Sequence, residues 1–379
     1  MKHRRIALGT IVIMMLGLTT LCGAQSSPVY TRWENFTTAD GMPDDKVFQA
    51  AVDGDRIWVG TENGLVLIEK GKIKKVYRPE DGLVNRVVTG VAVDSTTGDV
   101  WLATFGGLSR FSGGEFKNYK NFTSGLANDI VYAVAVQNEF VWAATTAGIS
   151  RLNTRTGEWA IFSERNAPLH EPWSYGIAVA EKKVYFAVWG GGLVEYDVQW
   201  GWWKPYNDPD GEMEIVLFQN QGLLHDIVSN VGYNPDTKMV WASTYFGLSG
   251  YDGHNWHNYL SSDSPLSSDF INAVQSRGDD VWACTDKGLS YLNFKTGEWI
   301  VYKPSADGTT GDITITTPEK KVERRSSPTT LAHNYILNIT IQGDDIWVAT
   351  AKGLSHGMRE PNHQSSKEGN RNEHKSNSR

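Results

Sequence analysis

Eight side chains stand where this chain can do chemistry: the rings of Phe105, Trp173, Trp189 and Tyr245, the carboxylates of Glu62 and Asp286, and the imidazoles of His225 and His333. Five of them share one column. Glu62, Phe105, Thr146, Trp189, Tyr245, Asp286 and Ala351 each follow the last position of a recurring W-x-[AG]-T phrase or a variant of it, and the column is aromatic in three copies and acidic in two. Trp173, and Trp189 with its following Gly190-Gly191-Gly192, are not explained by the repeat. A ring beside bare backbone suits stacking on a sugar or packing a peptide side chain; the alternative is that such rings cover the ends of neighbouring structural units. The histidines belong to a second set of places, occupied by Asp44/Asp45, Asn85/Arg86, Asn128/Asp129, Glu171, His225/Asp226, Ser268/Asp269 and His333/Asn334. Imidazoles and carboxylates gathered in a ring can hold a divalent cation or move protons. No HExxH run and no readable Ser-His-Asp arrangement accompanies them, and NDPDGE (207–212) fails the EF-hand spacing, because Gly211 at position six puts Leu217 at position twelve. Neither a metal nor a cofactor is expected.

A repeat sets these positions. Its clearest copy runs from 82 to 111, where VVTGVAV reads as a short strand, STTGD as a turn, VWLAT as a second strand and LSRF, after a glycine turn, as a third; EFKNY closes the unit. Anchors at Trp58, Trp101, Trp142, Tyr185, Trp241, Trp282 and Trp347 lie 43, 41, 43, 56, 41 and 65 residues apart, and four short strands at such a period predict propeller blades. The last copy lacks its fourth strand, while Trp33–Phe36 is a fourth strand with nothing before it. The N-terminal strand should therefore complete the C-terminal blade, giving an all-β, seven-bladed propeller of four-stranded antiparallel blades over residues 30–357.

Two residues after each anchor, on the same strand face, come Gly60, Ala103, Ala144, Ala187, Ser243, Cys284 and Ala349. Small residues beside large rings let two sheets interdigitate, so Cys284 is read as packing rather than as a nucleophile. The loops joining strands two and three should emerge beside the blade-to-blade connections, around the channel mouth. Phe105, Trp173, Trp189 and Tyr245 are then expected to form an aromatic arc bordered by the insertion 207–221, with Glu62 and Asp286 across the channel. A second insertion, 305–329, is polar enough to be partly disordered.

MKHRR followed by IALGTIVIMMLGLTTL reads as an export signal (1–24) cleaved near Gln25, with a retained anchor or acylation of Cys22 as alternatives; Leu21 disfavours acylation. Removing 1–24 takes away Lys2, Arg4 and Arg5 and no acid, moving the formal charge from -7 to -10, which argues against a nucleic-acid partner. The mature chain keeps one cysteine, hence no disulfide framework, and no membrane span. Residues 358–379 read as a disordered polar tail.

The closing phrase of the repeat is more specific than its period. DGLVNRVV (81–88), SGLANDIV (124–131), QGLLHDIV (221–228) and TLAHNYI (330–336) each precede a strand, a turn and W-x-[AG]-T-x-x-G-[LI]. Over nearly the whole mature chain this resembles the two-component regulator propeller repeat of periplasmic sensor regions of hybrid histidine kinases and of stand-alone exported proteins. The resemblance implies a ligand-binding propeller, often linked to carbohydrate sensing. It also implies that His225, His333 and their equivalents serve the loop backbone rather than a metal, since the family repeat often carries His or Ser followed by Asn there. Where the sensors usually have two propellers, an Ig-like domain, a membrane helix and a kinase, this chain shows one propeller, so only the binding role carries over. The expectation is an exported, periplasmic or secreted, non-catalytic module recognising a glycan, a peptide or an envelope protein, with a lyase or hydrolase at the channel mouth as the alternative.

Overall fold

A computed structural model describes residues 27–211 and 220–359. The expected export signal with Cys22, residues 212–219 of the first insertion and the tail beyond Arg359 lie outside them.

Seven antiparallel sheets form the ring, and in blades one to six the strands run in chain order outward from an inner first strand. In blade two these are Val88–Val93, Val100–Thr104, Gly107–Ser112 and Glu115–Tyr119. Its second strand is buried along its whole length because neighbouring blades cover both faces, whereas the outer strand is largely exposed up to Tyr119. That is why the second strand carries both the tryptophan anchor and the small column. Trp101 stacks on Tyr119 at 5.7 Å and packs against Leu126 and Val131 of blade three. Thr104 holds the following turn by donating to the Gly107 carbonyl at 2.7 Å and accepting from the Gly106 N–H at 3.1 Å. The same hydroxyl bond recurs at Thr61, Thr145, Thr244, Thr285 and Thr350, and is missing only in blade four, where Val188 stands.

The strand Tyr30–Phe36 pairs with Gly353–Arg359 and closes the seventh blade, with Trp33 opposite Gly357 and Phe36 opposite Leu354. A Cβ on Gly357 would stand 2.7 Å from the Trp33 ring, so that glycine makes room for the indole. The pairing runs to Arg359, two residues past the expected boundary.

Blade six departs from expectation. The polar insertion is not disordered: Gly311–Thr316 and Val322–Ser327 add a hairpin to the outer strand Glu298–Pro304, making a six-stranded sheet. Ile313 and Ile315 alternate onto one face and bury among Tyr302 and Leu331, which supplies the apolar contact that the composition hid. The exposed edge strand is charged, with Glu323, Arg324 and Arg325, and so resists further pairing.

Every first strand contains a register shift after its opening residue, leaving Phe48, Thr89, Tyr132, Tyr175, Ser229, Asn272 and Leu337 as the extra residues. Such bulges re-aim a side chain. Here several reach the inner strand of the next blade: the hydroxyls of Thr89 and Ser229 and the amide of Asn272 donate to the carbonyls of Val131, Ile271 and Ile336.

Candidate functional site

The bulge in blades three and four aims tyrosines inward, and these link three of the four expected rings into one arc, leaving Trp173 outside it. Phe105 meets Tyr132 edge-on at 5.6 Å, Tyr132 stacks on Tyr175 at 4.2 Å, and Tyr175 touches Trp189 at 5.1 Å. Trp189 meets Tyr245 edge-on at 4.8 Å, Tyr245 stacks on Phe270 at 3.7 Å, and Phe270 approaches Tyr335 at 6.4 Å. Blades two to seven all contribute. In blade one the chain of rings gives way to an ion pair, Lys46 to Glu62 at 3.1 Å, with the Lys46 ammonium 5.1 Å from the Phe48 ring. Burial pushes the Tyr245 hydroxyl up to about 12 and raises Tyr175 too, where the Tyr132 hydroxyl adds to the effect, so both are neutral phenols at neutral pH.

Beside the arc, between blades four and five, lies a cavity of about 460 Å³. Its walls are Glu171, Trp173, Trp189, Gly190, Asp208, Gly211, His225, Asp226 and Ile227. Trp173 is 47% exposed, an unusual position for an indole, and it has no partner ring among the described residues. Gly190 and Gly191 have a packing reason for being bare: a Cβ on either would come within 3.3 Å of Glu171, and one on Gly191 within 2.6 Å of Val188. The Asp226 Oδ1 accepts from the Asp208 N–H at 2.8 Å and the Asn207 amide at 3.2 Å, fixing the connection between the blades. Burial, aided by the charges of Asp210 and Asp226, lifts the Asp208 carboxyl to about 6.

The histidines have a defined local duty. The N–H of Ile227 donates to His225 Nδ1 at 2.9 Å and that of Tyr335 to His333 Nδ1 at 3.0 Å. Asp44, Asn85, Asn128 and Ser268 accept the equivalent bond in their own blades. An imidazole accepting at Nδ1 carries its proton on Nε2, and burial lowers both histidines below their ordinary range. Glu171 breaks the column: Pro172 follows it, and its carboxylate makes no such bond.

Of the eight side chains singled out in the sequence, Trp173, Trp189 and His225 line the cavity, and Phe105, Trp189 and Tyr245 lie in the arc. Glu62, Asp286 and His333 line neither; the buried Asp286 Oδ1 has no hydrogen-bond partner among the described residues. Sequence reasoning missed Tyr132, Tyr175, Phe270 and Tyr335. Their signal was the pair of positions flanking the opening residue of each first strand, a column that the threonine phrase does not mark.

The sequence matches no protein-family model and no curated protein. Solved structures share the fold. The extracellular domain of a hybrid two-component system from B. thetaiotaomicron superposes with a TM-score of 0.65 at 17% identity, covering 88% of this chain and 42% of that one, so this chain spans less than half of that sensor domain. Virginiamycin B lyase from Staphylococcus aureus, solved with quinupristin, gives 0.58 at 14% identity over 86% of this chain and 99% of that one. BamB from Moraxella catarrhalis gives 0.53 at 15% over 89% and 99%. The protein thus has the seven-bladed propeller fold, closed by its N-terminal strand, and its structural neighbours include extracellular domains of a two-component and a one-component system.

Proposed function

We infer that this is an exported ligand-binding propeller, with its site at the channel mouth between blades four and five, recognising a glycan, a peptide or an envelope protein. The observation that carries this reading is the continuity of the aromatic arc with the cavity through Trp189, which belongs to both. Half-exposed rings around a concavity of this volume are what a bound ligand covers. The histidines favour binding over proton transfer, because Nδ1 of His225 is committed to a backbone N–H and its Nε2 already holds a proton. Export is supported by MKHRR and the uncharged apolar run behind it.

A thermal-shift screen of oligosaccharides and peptides against the intact protein and Trp189→Ala tests the site. Ligands that stabilise the parent and not the variant support it. Hits that act equally on both place binding elsewhere and remove this reading.

A further inference from the structure

We propose that the cavity between blades four and five receives the cationic side chain of a basic peptide, a lysine or arginine held between the two indoles and neutralised by the surrounding carboxylates. This rests on the cavity being the ligand site. Its charge is one-sided: Glu171, Asp208 and Asp226 line it, and among the described residues no lysine or arginine does. Blade four abandons three rules of the repeat at this spot. Glu171 leaves the entry turn that its counterparts hold, Val188 replaces the turn threonine, and Trp173 stands in a position that is aliphatic in three other blades, as in Ile227 of blade five. Glu171 and Trp173 border the cavity directly, and Val188 packs behind the Gly190-Gly191 turn beside it. None is required by the sheet, since the other blades fold without them.

A neutral sugar offers those carboxylates hydroxyl donors but leaves three like charges uncompensated when water is displaced, which is costly. An ammonium or guanidinium cancels that charge and gains from the indole faces, while its methylene stem packs on Trp173 and Trp189. The raised Asp208 carboxyl is consistent with a charge that lacks a cationic partner in the free protein. His225, only 6% exposed, adds a donor: with Nδ1 occupied, its Nε2–H suits a peptide carbonyl flanking the basic side chain. The volume fits one long side chain with its adjoining peptide groups.

The test is calorimetric titration of the intact protein with acetyl-Gly-Lys-Gly-amide, its norleucine counterpart, which has the same stem without the charge, and maltohexaose. The lysine probe should bind about tenfold or more tightly than the norleucine probe. Glu171→Gln should weaken it several-fold with no change in thermal midpoint, and Trp189→Ala should abolish it. Equal affinity for lysine and norleucine probes overturns the cationic assignment. Maltohexaose binding that depends on Trp189, without lysine binding, overturns it too but leaves the cavity as the ligand site. Lysine-probe binding that survives Trp189→Ala overturns both.

Discussion

Tyr245 and Phe270 lie face to face, with ring centroids 3.7 Å apart and planes 25° from parallel, although they belong to different blades. This stack joins the part of the arc built by blades two to five to the part built by blades six and seven. Phe270→Ala should therefore cost about 0.5–1.5 kcal/mol from the lost ring pair, beyond any change in buried area. A chemical denaturation midpoint unchanged from the parent would show that the stack contributes nothing.

Trp189 holds the centre of the arc and one wall of the cavity, and it is only partly buried. Trp189→Ala should weaken ligand binding by ~1–3 kcal/mol. Trp101→Ala, which empties a site that is 1% exposed, should instead lower stability by ~3–5 kcal/mol with no specific effect on the ligand. Parallel melting curves check the contrast, and an equal drop for the two variants would make Trp189 a core residue.

Ring closure depends on Trp33 fitting over Gly357. Gly357→Val drives a side chain into the indole and should lower the melting temperature sharply, while deletion up to Phe36 should expose two sheet edges and cause aggregation. A deletion variant that stays monomeric by light scattering and melts with the parent would refute the closure.

Cys284 lies fully buried opposite Leu289 and Ala273, where burial pushes its thiol far up. It should resist thiol reagents in the folded protein. Cys284→Ala should be mild, because the equivalent position is already Ala in four other blades, and Cys284→Leu should cost ~1–3 kcal/mol by overpacking. Denaturation of both variants reads the difference directly.

Asp208 gives a pH signature. Its folded-state value of about 6 exceeds the ordinary 3.8, so the stability associated with its protonated form is complete below about 3.8 and is lost as pH rises through about 6. Asp208→Asn, which can still accept from the Asp210 N–H, should raise the melting temperature relative to the parent near about pH 7.5 and not near about pH 3.5. His225, lowered by burial, contributes stability above its ordinary 6.5 that is lost on acidification, but it is present in both proteins and cancels in the comparison. A constant offset across this range would contradict the assignment.

The sequence by itself determined the ring: the anchor spacing, the small column, the threonine turn and the orphan strand around Trp33 are local patterns that recur, and recurrence makes local signals add. It also identified Trp173, Trp189 and His225 as side chains to watch. The tertiary structure alone decided what they meet. Tyr132 and Tyr175 turn toward the arc because a bulge shifts the strand register by one residue, and a one-residue shift reverses a side chain's direction without leaving a mark in composition. Glu171, Asp208 and Asp226 come together because the connection entering blade four and the one leaving it for blade five meet where the two blades abut. The hairpin at 311–327 was hidden for a related reason: two isoleucines in a polar stretch form a strand only once Tyr302 and Leu331 offer them a surface. Period and patterning act along the chain, whereas the site is made by residues whose only relation is that closing the ring brings them side by side.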